Sequence, residues 1–111
     1  MTALPLSIGI IHFTGIGGIG MSGIAEILHE LGYQIQGSDL TANANVKRLR
    51  AAGIKVTTPQ QAKNLESVSI VVISTAIKDD NVELIEARRK FLPIVHRSET
   101  VSYTHLRAHE T

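Results

Sequence analysis

Nine residues, Gly15-Ile16-Gly17-Gly18-Ile19-Gly20-Met21-Ser22-Gly23, carry the strongest chemical signal in the chain, and five of them are glycine. Glycine loses more conformational freedom on folding than any other residue, so such a cluster marks backbone that must do something a side chain would prevent. Gly15, Gly17 and Gly20 satisfy G-x-G-x-x-G, which cradles a diphosphate when it follows a strand and opens a helix. Gly15 permits the tight turn, Gly17 and Gly18 let a diphosphate approach the backbone, and Gly20 lets the helix pack close to the sheet. N–H groups at the helix start then face the anion, aided by the positive end of the helix dipole. Ser22 adds a hydroxyl. The plain alternative is a tight turn with no ligand.

Two further places fit the same chemistry. Asp39 stands 19 residues after Gly20, where the acidic residue of a nucleotide-binding α/β unit meets ribose hydroxyls. Otherwise it is a solvated loop Asp capping the next helix, and its neighbour Ser38 is either a cap or a ligand residue. Ser74-Thr75-Ala76 closes the fourth predicted strand, at the carboxyl end of a sheet, where open α/β folds bind ligands. The alternative there is strand-end capping. The other polar residues read more plainly. His12 is expected to be packed in a strand and His29 exposed on a helix, while His96 is open between the two. No pair among them has metal-ligand spacing, so no metal site is expected. Lys47, Arg48 and Arg50, like Arg88-Arg89-Lys90, read as solvated helix faces. No paired carboxylates or Ser/His/Asp set looks catalytic, and G-x-x-x-x-G-K-[ST] is missing, so the chain lacks a P-loop for ATP.

The elements that must hold these residues alternate. Ser7 to Phe13 reads as a buried strand running into the glycines. Met21, Ile24, Ala25, Leu28 and Leu31 recur at three- and four-residue steps, one face of an amphipathic helix closed by Gly32. Tyr33 to Gly37 alternates as a second strand, Val46 to Ala52 is a helix closed by Gly53, and Ile54 to Thr57 is a third strand. Pro59 to Ser67 is polar, with room for a short helix. Ser69 to Ser74 is an unbroken β-branched run suited to a strand covered on both faces. Asp79-Asp80 stands where an N-cap is wanted, ahead of a helix from Asn81 to Lys90. Leu92 to Val95 is a fifth strand. This alternation predicts a Rossmann-like, doubly wound α/β fold, a parallel sheet of about five strands in the order 3-2-1-4-5 with right-handed crossovers.

Composition narrows the function. A chain of 111 residues with 43% hydrophobic residues supports one modest core. A net charge of +1 speaks against a nucleic-acid surface built on bulk charge. The absence of Cys excludes disulfides and thiolate chemistry. No apolar run is long enough to span a bilayer, and Met1 to Pro5 lacks the basic start of a signal peptide. A cytoplasmic domain that touches neither membrane nor nucleic acid is the expectation.

The stretch Ile11 to Glu26 resembles the start of the UDP-N-acetylmuramate–L-alanine branch of the Mur ligase family. Gly32 to Asp39, Val71 to Lys78 and Leu92 to Glu99 resemble its later strands in order. Met21-Ser22-Gly23 makes the likeness specific, because a generic dinucleotide fingerprint does not require it. The resemblance implies an ATP-dependent cytoplasmic ligase of peptidoglycan synthesis. ATP phosphorylates the lactyl carboxylate of UDP-N-acetylmuramate, and L-alanine then attacks. Residues 1–99 resemble the N-terminal domain that holds the UDP moiety. Gly17 to Ser22, with Ile19 and Met21 among them, would hold the diphosphate, and Asp39 with Ser74-Thr75-Ala76 would meet ribose and uracil. Where many members carry Gly-His after the third strand, this chain aligns with Pro59-Gln60, and Gln60 would donate in place of the His. ATP and Mg2+ are expected only in the full-length enzyme, with no cofactor and no catalysis in this part alone. Residues 100–111 resemble translated vector sequence and are expected to be a non-native tail. The competing reading is a free-standing NAD-binding sensor module using the same loop and Asp39. A Rossmann-shaped interaction domain without ligand is the third.

Overall fold

The computed structural model describes residues 6–99. Their elements are β1 (Ile10–Thr14), α1 (Met21–Glu30), β2 (Gln34–Ser38), α2 (Ala44–Ala51), β3 (Lys55–Thr57), β4 (Val68–Ile73), α3 (Val82–Arg89) and β5 (Ile94–His96), with short 3-10 helices at Leu6–Ile8 and Ala62–Leu65. All strand pairs are parallel, and the sheet runs β3-β2-β1-β4-β5. That is the order and fold class the sequence predicts. The proposed tail lies outside the described residues.

Period-two alternation sorts the strands' side chains onto two faces. Ile11 and Phe13 of β1, Ile35 of β2 and Val72 of β4 join α1 and α2 in the larger apolar cluster, with Met21, Ile24, Ala25, Leu28, Val46 and Leu49. Phe13, Val46 and Leu49 are fully buried. The alternate residues face α3 and the 3-10 helix at Ala62–Leu65. There the apolar cluster is small, Leu65, Val68, Val71 and Ala87. The buried residues beside it are polar: His12, Thr14, Ser38 and Glu83.

Several local details differ from the sequence reading. The first strand begins at Ile10, and Leu6–Ile8 forms a 3-10 turn instead. Helix α2 starts at Ala44 because Asn43 accepts a hydrogen bond from the Val46 N–H. Asn81, not Asp79 or Asp80, caps α3. Its Oδ1 accepts from the Glu83 N–H at 2.9 Å, while Asp79 pairs with Arg88 at 3.1 Å. His29 is half-buried and not exposed. The basic faces are exposed, yet Arg48 bonds Glu26 and Arg50 bonds the Val56 carbonyl.

Helices α1, α2 and α3 end alike. In each, the second residue past the C-cap donates to the carbonyl five positions back: Tyr33 to Leu28, Ile54 to Leu49 and Leu92 to Ala87. This Schellman closure needs a left-handed residue just before it. Gly32 and Gly53 supply it in α1 and α2, whereas α3 uses Phe91, at φ 56° and almost fully exposed.

Candidate functional site

Strand β1 ends at Thr14, and the glycine loop turns from there into α1. The turn is fixed by its own backbone. Gly15 and Ile16 both donate to the Ser38 carbonyl at 2.9 Å, so the loop hangs on the carboxyl end of β2. Gly17 donates to Asp39 Oδ2 at 2.7 Å, and the other Asp39 oxygen accepts from the Leu40 N–H. A Cβ at Gly17 would lie 2.7 Å from Asp39 Oδ2 and 2.9 Å from both Asn43 Oδ1 and Val46, so a side chain there would push these three apart from the loop.

This geometry changes the expected roles. The N–H groups of Gly17, Gly18, Met21 and Ser22 are satisfied inside the loop. Among the described residues, those of Ile19 and Gly20 have no hydrogen-bond partner. Those two, with the Gly23 N–H that also has no partner among the described residues, are the donors left for an anion at the start of α1. Gly20 was expected to allow close helix–sheet packing. It is instead exposed, at φ 85°, as the N-cap of α1. The guanidinium of Arg97 lies beside it, 3.3 Å from where a Cβ would sit. The Met21 side chain is in the core, and the Ser22 hydroxyl is buried and accepts from Arg48 at 3.3 Å.

The loop opens onto a cleft of about 420 Å³ at the carboxyl ends of the strands. Gly15, Gly18, Asp39, Gln60, Ser74 and Ala76 line it together. Three parts of the chain read separately as ligand-facing thus share one cavity. Thr75 is exposed beside it, and Ile19 is almost fully exposed at the loop tip. Gln60 Oε1 accepts from Asn81 Nδ2 at 2.8 Å, so its amide nitrogen is the group left to donate. Lys78 and Asp80 also line the cleft, placing charges of both signs at its rim. Among the described residues no group of three His, Asp or Glu could hold a metal ion, and no helix is long and apolar enough to cross a membrane.

The model of the Mur ligase family, catalytic domain, matches residues 10–106. The chain belongs to the Mur ligase family. The UDP-N-acetylmuramate–L-alanine ligase of Gluconacetobacter diazotrophicus is 60% identical over 102 residues, which are 92% of this chain and 21% of that protein. The corresponding ligase of Rhodospirillum rubrum is 61% identical over 99 residues, 89% of this chain and again 21% of the relative. This Mur ligase chain therefore spans about a fifth of the length of the curated relatives it matches. Among solved structures, the UDP-N-acetylmuramate–alanine ligase MurC of Thermotoga maritima superposes with a TM-score of 0.84 at 35% identity, covering 89% of this chain and 23% of that one. A murein peptide ligase of Psychrobacter arcticus gives 0.76 at 25% identity, covering 85% and 20%. The likeness of the loop and strands to the L-alanine branch is borne out.

Sequence reasoning about this Mur ligase chain missed two features. One is Arg97, which reaches the loop from beyond β5. The other lies behind the cleft, where Glu83 is buried at the first turn of α3. Its Oε1 accepts from His12 Nε2 at 2.8 Å, Thr14 Oγ1 at 2.8 Å and Ser38 Oγ at 2.6 Å. Its Oε2 accepts from the Gln61 N–H at 3.1 Å and Asn64 Nδ2 at 2.8 Å. Gln36 Nε2 donates to His12 Nδ1 at 2.7 Å, which leaves the imidazole proton on Nε2. Burial pushes the Glu83 carboxyl up, but the hydrogen bond and electrostatic attraction of the His12 N–H, with the hydrogen bonds from Ser38 and Asn64, outweigh it and hold the pKa at about 2. His12 is packed, as expected. A signal for its partner was present: His12 and Thr14 on β1, and Gln36 and Ser38 on β2, alternate onto one face of a sheet expected to be covered on both sides. Such a face needs a buried polar partner.

Proposed function

We propose that residues 1–99 form the UDP-N-acetylmuramate-binding domain of an ATP-dependent ligase that adds L-alanine to that sugar nucleotide in cytoplasmic peptidoglycan synthesis. One observation carries the reading. The glycine loop, Asp39 and the Ser74–Ala76 turn face one cleft at the carboxyl ends of the strands, with the Ile19 and Gly20 N–H groups unused at the start of α1. The diphosphate meets those two donors, with Arg97 beside them. Asp39 accepts from the ribose while holding Gly17, and Ser74, Thr75 and Ala76 border the uracil. Gln60 donates where many relatives have a His. ATP, Mg2+ and L-alanine belong to other parts of the full-length enzyme, because the described residues offer neither a P-loop nor a metal cluster. This part alone binds the sugar nucleotide and catalyses nothing.

Calorimetric titration of the 111-residue chain with UDP-N-acetylmuramate, with NAD as comparator, tests this. Binding of the UDP-sugar alone is expected, abolished in Gly17→Val and weakened in Asp39→Ala. Binding of NAD alone would overturn the reading in favour of a sensor module.

A further inference from the structure

Three of the five groups that Glu83 holds are chain neighbours of residues lining the cleft. Thr14 precedes Gly15, Ser38 precedes Asp39, and Gln61 follows Gln60. Asn81, which caps the helix carrying Glu83, lines the cleft itself and bonds Gln60. The five groups facing the carboxylate all donate: His12 Nε2–H, two hydroxyls, the Gln61 N–H and the Asn64 amide. A carboxylate is an acceptor at both oxygens and matches all five. A carboxamide would aim an N–H at donors on one side. The backbone of Gln61 cannot rotate to accept, and reversing the imidazole proton would set His12 against the Gln36 amide.

We propose that Glu83 is a positioning residue for the nucleotide cleft. It ties the carboxyl ends of β1 and β2 and the loop after β3 to the start of α3, and so sets Gly15, Asp39 and Gln60 at the spacing one ligand requires. It touches no ligand. The sheet would form without it, since the opposite face carries the larger apolar cluster. What would loosen is the register of three loops relative to one another, and a loosely supported site loses affinity even when its contact residues are all present. The affinity half of this inference rests on the UDP-sugar reading. The loop-ordering half does not.

The test compares Glu83→Gln with Leu28→Ala in the full 111-residue chain, at a temperature where both are folded. Leu28 is buried at the far end of α1 and supplies a stability loss remote from the cleft. Two readouts are taken: the Kd for UDP-N-acetylmuramate, and amide hydrogen exchange of Gly15, Ile16 and Gly17, whose N–H groups bond Ser38 and Asp39. Glu83→Gln is expected to raise Kd about tenfold or more and to speed exchange at those three amides selectively. Leu28→Ala is expected to do neither beyond its global loss of stability. Should Glu83→Gln fail to fold, Thr14→Val removes one of the five donors and is expected to shift both readouts in the same direction by less. Unchanged loop exchange in Glu83→Gln, or equal effects from the Leu28 variant, would overturn the proposal. Selective exchange in a chain that binds no UDP-sugar would uphold the positioning role and overturn the UDP-sugar reading.

Discussion

The two faces of the sheet solve the same burial problem with opposite chemistry. Towards α1 and α2, strands β1, β2 and β4 present Ile11, Phe13, Ile35 and Val72 to an apolar cluster. Towards α3, the next residues along β1 and β2 are His12, Thr14, Gln36 and Ser38; three of them bond Glu83 and Gln36 bonds His12, beside the small apolar cluster that holds Val68 and Val71 of β4. Apolar packing is non-directional and tolerates small shifts. A carboxylate with five donors fixes positions in both distance and direction. The directional face lies directly beneath the cleft, and the non-directional one supplies the bulk of the burial. Stability and positioning are thereby divided between the faces.

The largest expected effect breaks the apolar face. Phe13→Ala should cost about 3–5 kcal/mol, as truncating a fully buried aromatic does, with the same loss at pH 7 and pH 4 by chemical denaturation. Glu83→Gln breaks the polar face and should behave differently. The native pKa of Glu83 lies below its ordinary 4.5, at about 2. Its contribution is therefore complete above about pH 4.5 and is lost as pH falls towards 2. That depression corresponds to about 3 kcal/mol at neutral pH. The wild-type chain should lose this stability progressively on acidification, and Glu83→Gln should lack that part of the slope. Identical acid profiles would remove the distinction between the faces.

Smaller effects sharpen the comparison. Asn81→Ala removes the cap of α3 and the Gln60 contact together. It should cost about 1 kcal/mol by thermal melting and raise the Kd for the UDP-sugar, because Gln60 loses the bond that orients its amide towards the cleft. Phe91→Gly should stabilise by up to about 1 kcal/mol, because a left-handed residue is strained unless it is glycine. It would bring α3 into line with α1 and α2, whose closures already use Gly32 and Gly53.

Much of this was legible in the residues themselves. Alternating β-branched runs and helical stripes carried the strand order, and glycines closed two of the three helices where they were expected. The loop, Asp39 and the Ser74–Ala76 turn were found because their chemistry depends on short, fixed spacings. What the sequence concealed depends on long-range registration. Gly17 was read as open to a ligand, yet its N–H is taken by a side chain 22 residues away. Glu83 carries no signal of its own in the sequence, being one acidic residue in the first turn of a helix. Its partners are scattered from His12 to Asn64 and meet only when β1 and β2 pair with Thr14 opposite Ser38. Phe91 ended α3 without a glycine signal, because the closure is set by backbone bonds that no residue type uniquely encodes.

A crystal structure of the chain with UDP-N-acetylmuramate would test the central claim most directly. The account predicts diphosphate oxygens within hydrogen-bonding distance, about 3 Å, of the Ile19 and Gly20 N–H groups, with the nucleoside lying along Asp39 and the Ser74–Ala76 turn. A nucleotide bound elsewhere on the molecule, with those two N–H groups still facing solvent, would contradict it.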